Sequence, residues 1–232
     1  MATKYVIRYH ETPTPIRTFT TKFGGQPVWL EEPTWPLSRM YARPMQFVCQ
    51  IALNPGFLPE TPARMAYLFM TDWDYESPYP NTFDSDDGEN ALLLQPSGLW
   101  SGPSLRVHEG PSLYRRFHRS GRWEQFPCEF AVELHPGDDP EDGVWQDYPQ
   151  EEAAQDLYWA ALSEDKLGGI PVPTPFGRRF GADFDGWRLL LQLNAKDNAD
   201  ESDPFFLNMA YDAVAYAFVS LDGRRGKFLW ER

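Results

Sequence analysis

The chain repeats itself. Lys22-Phe-Gly-Gly-Gln-Pro-Val28 returns as Lys166-Leu-Gly-Gly-Ile-Pro-Val172. Each copy is followed by an apolar run that ends in Gln, Met45-Gln-Phe-Val-Cys-Gln50 and Trp187-Arg-Leu-Leu-Leu-Gln192. The second Gly precedes that Gln by 25 residues in the first copy and by 23 in the second. An Ala-Tyr-x-Phe block then closes each copy, at Ala66–Phe69 and Ala215–Phe218. Three matched blocks in matched order predict two related halves, each one supersecondary unit packed on a shared core. The halves run over about 20–72 and 164–222 of a single domain spanning 1–232, with a central insert at 73–163.

The blocks read as strands. Gln46–Leu53 and Arg188–Leu193 are short apolar runs bounded by Pro, Gly, Asn or Asp, as buried strands are. Tyr67–Met70 and Val214–Val219 carry the aromatic and β-branched residues that strands favour. Asn90–Gln95, Leu105–His108 and Glu129–Leu134 are further strand candidates, and Lys227–Trp230 fits a final edge strand. One helix stands out, from Pro149 to Leu162, with Pro and acids at its start and Ala inside. Asp72 to Asn90, rich in Pro, Asp, Ser and Tyr, reads as a long loop. The expected class is α+β, mainly antiparallel sheet built from two related halves, with few helices.

Composition excludes several alternatives. Prolines number 22 of 232 residues, about twice the usual ~5%. Proline inside a helix costs ~3 kcal/mol, so a helical bundle is excluded. Aromatics at 16% exclude a disordered acidic tail. Asp and Glu total 34 against 21 Lys and Arg, a formal charge of −13. That balance argues against direct nucleic-acid binding and for a basic partner. Cys49 and Cys128 lie in apolar runs and read as buried free thiols. No signal-peptide core or membrane-length apolar run is present in the sequence, so the expectation is a soluble cytoplasmic protein with no membrane partner.

No recognised chemistry emerges from the motifs. Lys-x-Gly-Gly-x-Pro lacks the spacing of a phosphate loop and reads first as a tight turn with positive φ. The four histidines fall in no metal-ligand spacing, so no metal, cofactor or catalytic residue is assigned. Asp84-Ser-Asp-Asp-Gly-Glu89 is shorter than a calcium loop and reads as a solvated turn. Charge is laid down in blocks. Trp123–Asp165 holds 13 acids and no Lys or Arg, and Met65–Leu105 holds seven acids and none. Arg106–Arg122 between them carries five Arg and one Glu.

Taken as a set, Gly24-Gly-Gln-Pro27, Trp35-Pro36 and Pro44–Ile51, with Leu190–Leu193 and Tyr216–Ser220 downstream, resemble the YwqG-like family of bacterial proteins over roughly residues 15–222. The resemblance implies an α+β fold with internal duplication. It also implies kinship with immunity proteins that stand beside polymorphic or type VI secreted toxins, some of them nucleases.

The expected function is therefore an immunity-type protein that occludes a toxin with a basic surface, a DNase among the candidates. The residues expected to meet such a partner are Trp73 and Tyr75; Asp84, Asp86, Asp87 and Glu89; Asp138, Asp139, Glu141 and Asp142; and Asp197, Asp200, Glu201 and Asp203. The alternative is a small-molecule-binding or enzymatic protein with a site in the cleft between the repeats. Gln50 and Gln192 would hold equivalent places there, unless both only satisfy backbone groups in the core.

Overall fold

The computed structural model describes residues 2–53, 61–119, 122–139, 148–175, 177, 180, 184–195 and 203–232. In chain order the strands are β1 (Ala2–Glu11), β2 (Lys22–Gly24), β3 (Trp35–Pro36), β4 (Gln46–Ala52), β5 (Met65–Met70), β6 (Asn90–Gln95) and β7 (Ser104–Leu105). They continue with β8 (Tyr114–Arg119), β9 (Arg122–Pro127) and β10 (Glu129–Asp139). After the helix α1 (Glu152–Leu162) come β11 (Lys166–Gly168), β12 (Trp187–Asn194), β13 (Val214–Ser220) and β14 (Gly226–Glu231).

Ten strands form one antiparallel sheet in the order β14-β13-β12-β11-β1-β10-β2-β4-β5-β6. The sheet curls until its two outer strands meet. Asn90 Nδ2 donates to the Phe228 carbonyl at 3.2 Å, and Gly226 lies so close that an added Cβ would sit 2.5 Å from the Leu92 carbonyl oxygen. The result is a nearly closed barrel, which leaves little free edge to pair with another chain. One helix among the described residues makes this a sheet-rich fold, and the α+β expectation is corrected on that point.

The strand order repeats. From the centre outward it reads β10-β2-β4-β5-β6 on one side and β1-β11-β12-β13-β14 on the other. A register shift falls at the same place in each half, between Phe47 and Cys49 and between Leu189 and Leu191. Both faces of the outer strands are buried. Ala66, Leu68 and Met70 of β5 and Ala215, Ala217 and Val219 of β13 point into the barrel. Their neighbours Tyr67 and Phe69 pack outward under Trp35, while Tyr216 and Phe218 pack outward with Tyr158 and Leu162 of α1. Burial on both faces is why these strands read as unbroken apolar runs rather than alternating ones.

Two expectations are corrected here. Leu105–His108 is not a strand; only Ser104 and Leu105 pair, with Pro36 and Trp35. The expected strand Glu129–Leu134 does not stop there, since β10 continues through Pro136 and Gly137 to Asp139, paired all along with β1. The segment 73–163 contributes two strands to the same sheet, β6 at its edge and β10 in its middle. No helix among the described residues is long and apolar enough to cross a membrane.

Candidate functional site

The two Gly-Gly motifs are built as a matched pair of buried clamps. Gly24, Gly25, Gly168 and Gly169 all have φ between +63° and +73°, a region that L side chains avoid. The turn also has no room, since a Cβ on Gly25 would lie 2.3 Å from the Glu129 carboxyl carbon and one on Gly169 2.1 Å from Asp139 Oδ2. Those carboxylates hold the motif lysines. Lys22 Nζ donates to Glu129 Oε1 and the Gln26 carbonyl, both at 2.6 Å, and Lys166 Nζ to Asp139 Oδ2 at 2.6 Å and the Ile170 carbonyl at 2.8 Å. The carboxylates in turn accept backbone N–H groups, from Ile16 at 3.0 Å and Ile170 at 2.8 Å. Lys4 adds a second cation to Asp139 at 3.0 Å. Burial pushes the Asp139 carboxyl up, but Lys166, Ile170 and Lys4 together hold it below its ordinary range. Burial lowers the affinity of Lys22 and Lys166 for their protons.

The repeated glutamines are fully used as well. Gln50 Oε1 accepts from Val28 N–H, and its Nε2 donates to the Thr18 and Thr20 carbonyls. Gln192 Oε1 accepts from Val172 N–H, and its Nε2 donates to the Ala161, Leu162 and Glu164 carbonyls. Tyr67 and Tyr216 donate to the Val28 and Val172 carbonyls. Both repeated constellations bind their own backbone, and none of these polar groups is left for a ligand.

The acidic loop at 72–89 is packed against itself and pinned at both ends. Glu89 is buried and accepts from Ser38 Oγ, Thr71 Oγ1 and Met40 N–H. Asp139 is buried in its clamp. Neither carboxylate can dock on a partner, and both expectations are corrected, because a buried carboxylate is held by the donors it was buried with. Asp84 caps its own turn by accepting from Asp86 N–H. Asp87 is bonded to Asn81 Nδ2, and Asp86 is exposed 3.4 Å from Lys227. Trp73 donates to the Ser77 carbonyl and stacks with Tyr75 and Tyr79. Asn90 donates to the Thr82 carbonyl, and Tyr41 to that of Pro78. The tied loop leaves Tyr75, Tyr79 and Phe83 exposed at 55%, 41% and 48%, beside the exposed Asp74 and Glu76. Asp138 is exposed on β10 and Asp203 is half-buried; Glu141, Asp142, Asp197, Asp200 and Glu201 lie outside the described residues.

Next to this loop opens a groove of about 400 Å³, lined by Arg43, Gln46, Asp72, Trp73, Tyr75 and Gln125 among others. Asp72, which the sequence did not single out, sits in its wall. Burial pushes its carboxyl up to about 6, against the opposing pull of the Tyr114 hydroxyl, Arg43 and Arg116. Tyr114 donates to its Oδ2 at 3.0 Å. A second groove of about 530 Å³ runs between Glu11–Pro15 and the first Gly-Gly turn, with Cys128 and Glu129 in its floor. The first groove lies on the side of the first half, whereas the second is bordered by Glu11 of β1 as well as by Gly25 and Glu129. Burial pushes the Cys128 thiol up to about 12, and Cys49 is buried and raised further, so both are poor nucleophiles in the folded state. Among the described residues no group of three or more His, Cys, Asp or Glu is placed to hold a metal ion.

No protein-family model matches the chain. No curated protein matches it either.

Proposed function

We propose that this chain is a cytoplasmic immunity-type protein that binds a secreted bacterial toxin through the loop at 72–89 and covers its basic working face, a nuclease face among the candidates. The observation that supports this reading is the pinned loop. Its backbone is fixed by Trp73, Asp74 and Asn90, yet it presents Tyr75, Tyr79 and Phe83 to solvent among carboxylates. Rigid aromatics exposed on a preorganised loop lose little entropy on binding, and aromatic anchors carry most interface energy. The surrounding carboxylates would speed approach to a basic surface. The same reading takes the matched clamps and matched strand order as the product of duplication, and the kinship as YwqG-like.

The test is co-expression with the C-terminal domain of the toxin encoded beside this gene. Protection and a stable complex are expected. Tyr75→Ala with Tyr79→Ala should weaken that complex by about 2 kcal/mol or more, roughly 30-fold. Absence of protection and of any complex would reject the reading.

A further inference from the structure

The hairpin formed by β8 and β9 is rooted at one end only. Tyr114 is bonded to Phe206 through backbone and ring, Arg115 reaches Glu11 and the Pro204 carbonyl, and Arg116 lies 3.6 Å over the Phe206 ring. Beyond that root the ribbon stands in solvent, and a two-stranded ribbon alone is marginal in water. The strand register puts Arg115, Phe117 and Arg119 on one face with Phe126, Glu124 and Arg122. Phe117 and Phe126 meet edge to face at 5.8 Å and remain 45% and 44% exposed. At the tip Arg119 and Arg122 stand opposite each other, and among the described residues neither has an ion-pair partner. Like charges facing across strands destabilise a hairpin unless an anion joins them.

The complementary surface is on the same chain. The outward side of α1 presents Glu152, Asp156 and Trp159 at i, i+4 and i+7, with Leu157 on the opposite flank from Trp159. Leu157 is 66% exposed and Trp159 45%. Tyr148 steadies Trp159 by accepting its indole N–H at 3.3 Å. One chain thus carries a cationic aromatic face and an acidic apolar face on different elements. The hairpin holds four Arg against one Glu, a net +3, which leaves −16 on the remainder of the chain.

We propose that the protein self-associates head to tail, the hairpin of one copy seated on the outer face of α1 in the next. Phe117 and Phe126 would cover Trp159, and Arg119 and Arg122 would meet Asp156 and Glu152. Such a contact is heterologous and produces a ring or an open chain of copies. It does not depend on the toxin reading.

The experiment is sedimentation velocity of the full chain over rising protein concentration, at low and at high salt. A mass that rises with concentration, and falls back as salt is added, is expected. The pair Arg119→Glu and Arg122→Glu should weaken association roughly 100-fold, as should Glu152→Arg with Asp156→Arg. Mixing the two variants should restore it, because each then supplies the other's missing charge. All four side chains are exposed, and circular dichroism checks that each variant is folded. Should either charge variant unfold, Trp159→Ser supplies the same loss by removing apolar contact. A mass that stays monomeric throughout would overturn the proposal, as would a failure of the mixed variants to restore association. So would a monomeric chain whose arginine variant loses affinity for a single-stranded oligonucleotide, which would assign the hairpin to nucleic acid.

Discussion

Lys22 and Lys166 are carried into the interior because a carboxylate and backbone carbonyls replace their water. The lysines were visible in the repeated motif, but their counter-ions were not. Glu129 lies 107 residues from Lys22, and Asp139 27 residues from Lys166, each in a stretch that reads as wet. No local pattern marks an acid whose partner arrives from elsewhere in the fold. Asp72 was hidden for the same reason, being one acid of seven in a loop-like segment. Its buried carboxyl yields a prediction. In the folded state it keeps its proton up to about pH 6, whereas the unfolded chain releases it near its ordinary 3.8. Between those values the native state binds more protons, so this group's contribution to stability falls as pH rises and is flat beyond about 6. Asp72→Asn keeps an acceptor for Tyr114 and removes the titration. Relative to the unaltered chain, the variant should gain roughly 2–3 kcal/mol between about pH 4 and pH 7, read by urea unfolding. An unchanged difference at the two pH values would contradict the placement of Asp72.

Elements with both faces buried were the legible ones. β4, β5, β12 and β13 announced themselves as apolar runs with their ends nearly in place. β1 is illegible in the sequence because Lys4, Arg8, His10 and Glu11 interrupt Val6 and Ile7, and because its pairing partners lie more than a hundred residues away. The last turn-like residues of β10, His135-Pro-Gly-Asp-Asp139, look like a loop and are strand only because β1 pairs beside them. The hairpin of β8 and β9 escaped because its charged residues follow no apolar alternation. The Gly-Gly turns are legible as turns, though nothing local marks the carboxylate that fills each one. Gly169→Ala should therefore cost more than the ~1 kcal/mol of a forced positive φ, since the new methyl would meet Asp139. Gly186→Ala, with φ +84° and nothing within 4 Å, should cost only the backbone part. Thermal unfolding of the two variants checks the ordering, and equal losses would mean that the clamp yields easily.

On the scale of the whole molecule, closure of the sheet joins the two halves into one cooperative body. The seam at β6 and β14 depends on Gly226, where a Cβ would lie 2.5 Å from the Leu92 carbonyl oxygen and 2.6 Å from the Leu92 side chain. Gly226→Ala should part that seam, with faster amide exchange in β6 and β14 than in β4 and β12. Uniform exchange would show that the outer strands can separate without loosening. The repeat points to two halves but gives no sign that their central strands, β1 and β10, pair with each other. That pairing bears on how the chain is made. Lys22 has no carboxylate until Glu129 has emerged, and β1 has no neighbour until β10 follows it. At ~5–20 residues per second on the ribosome, the first strand waits roughly 6–25 s for its first partner. Its polar composition, which hid it from a reading of the sequence, suits a segment that must stay in water throughout that interval.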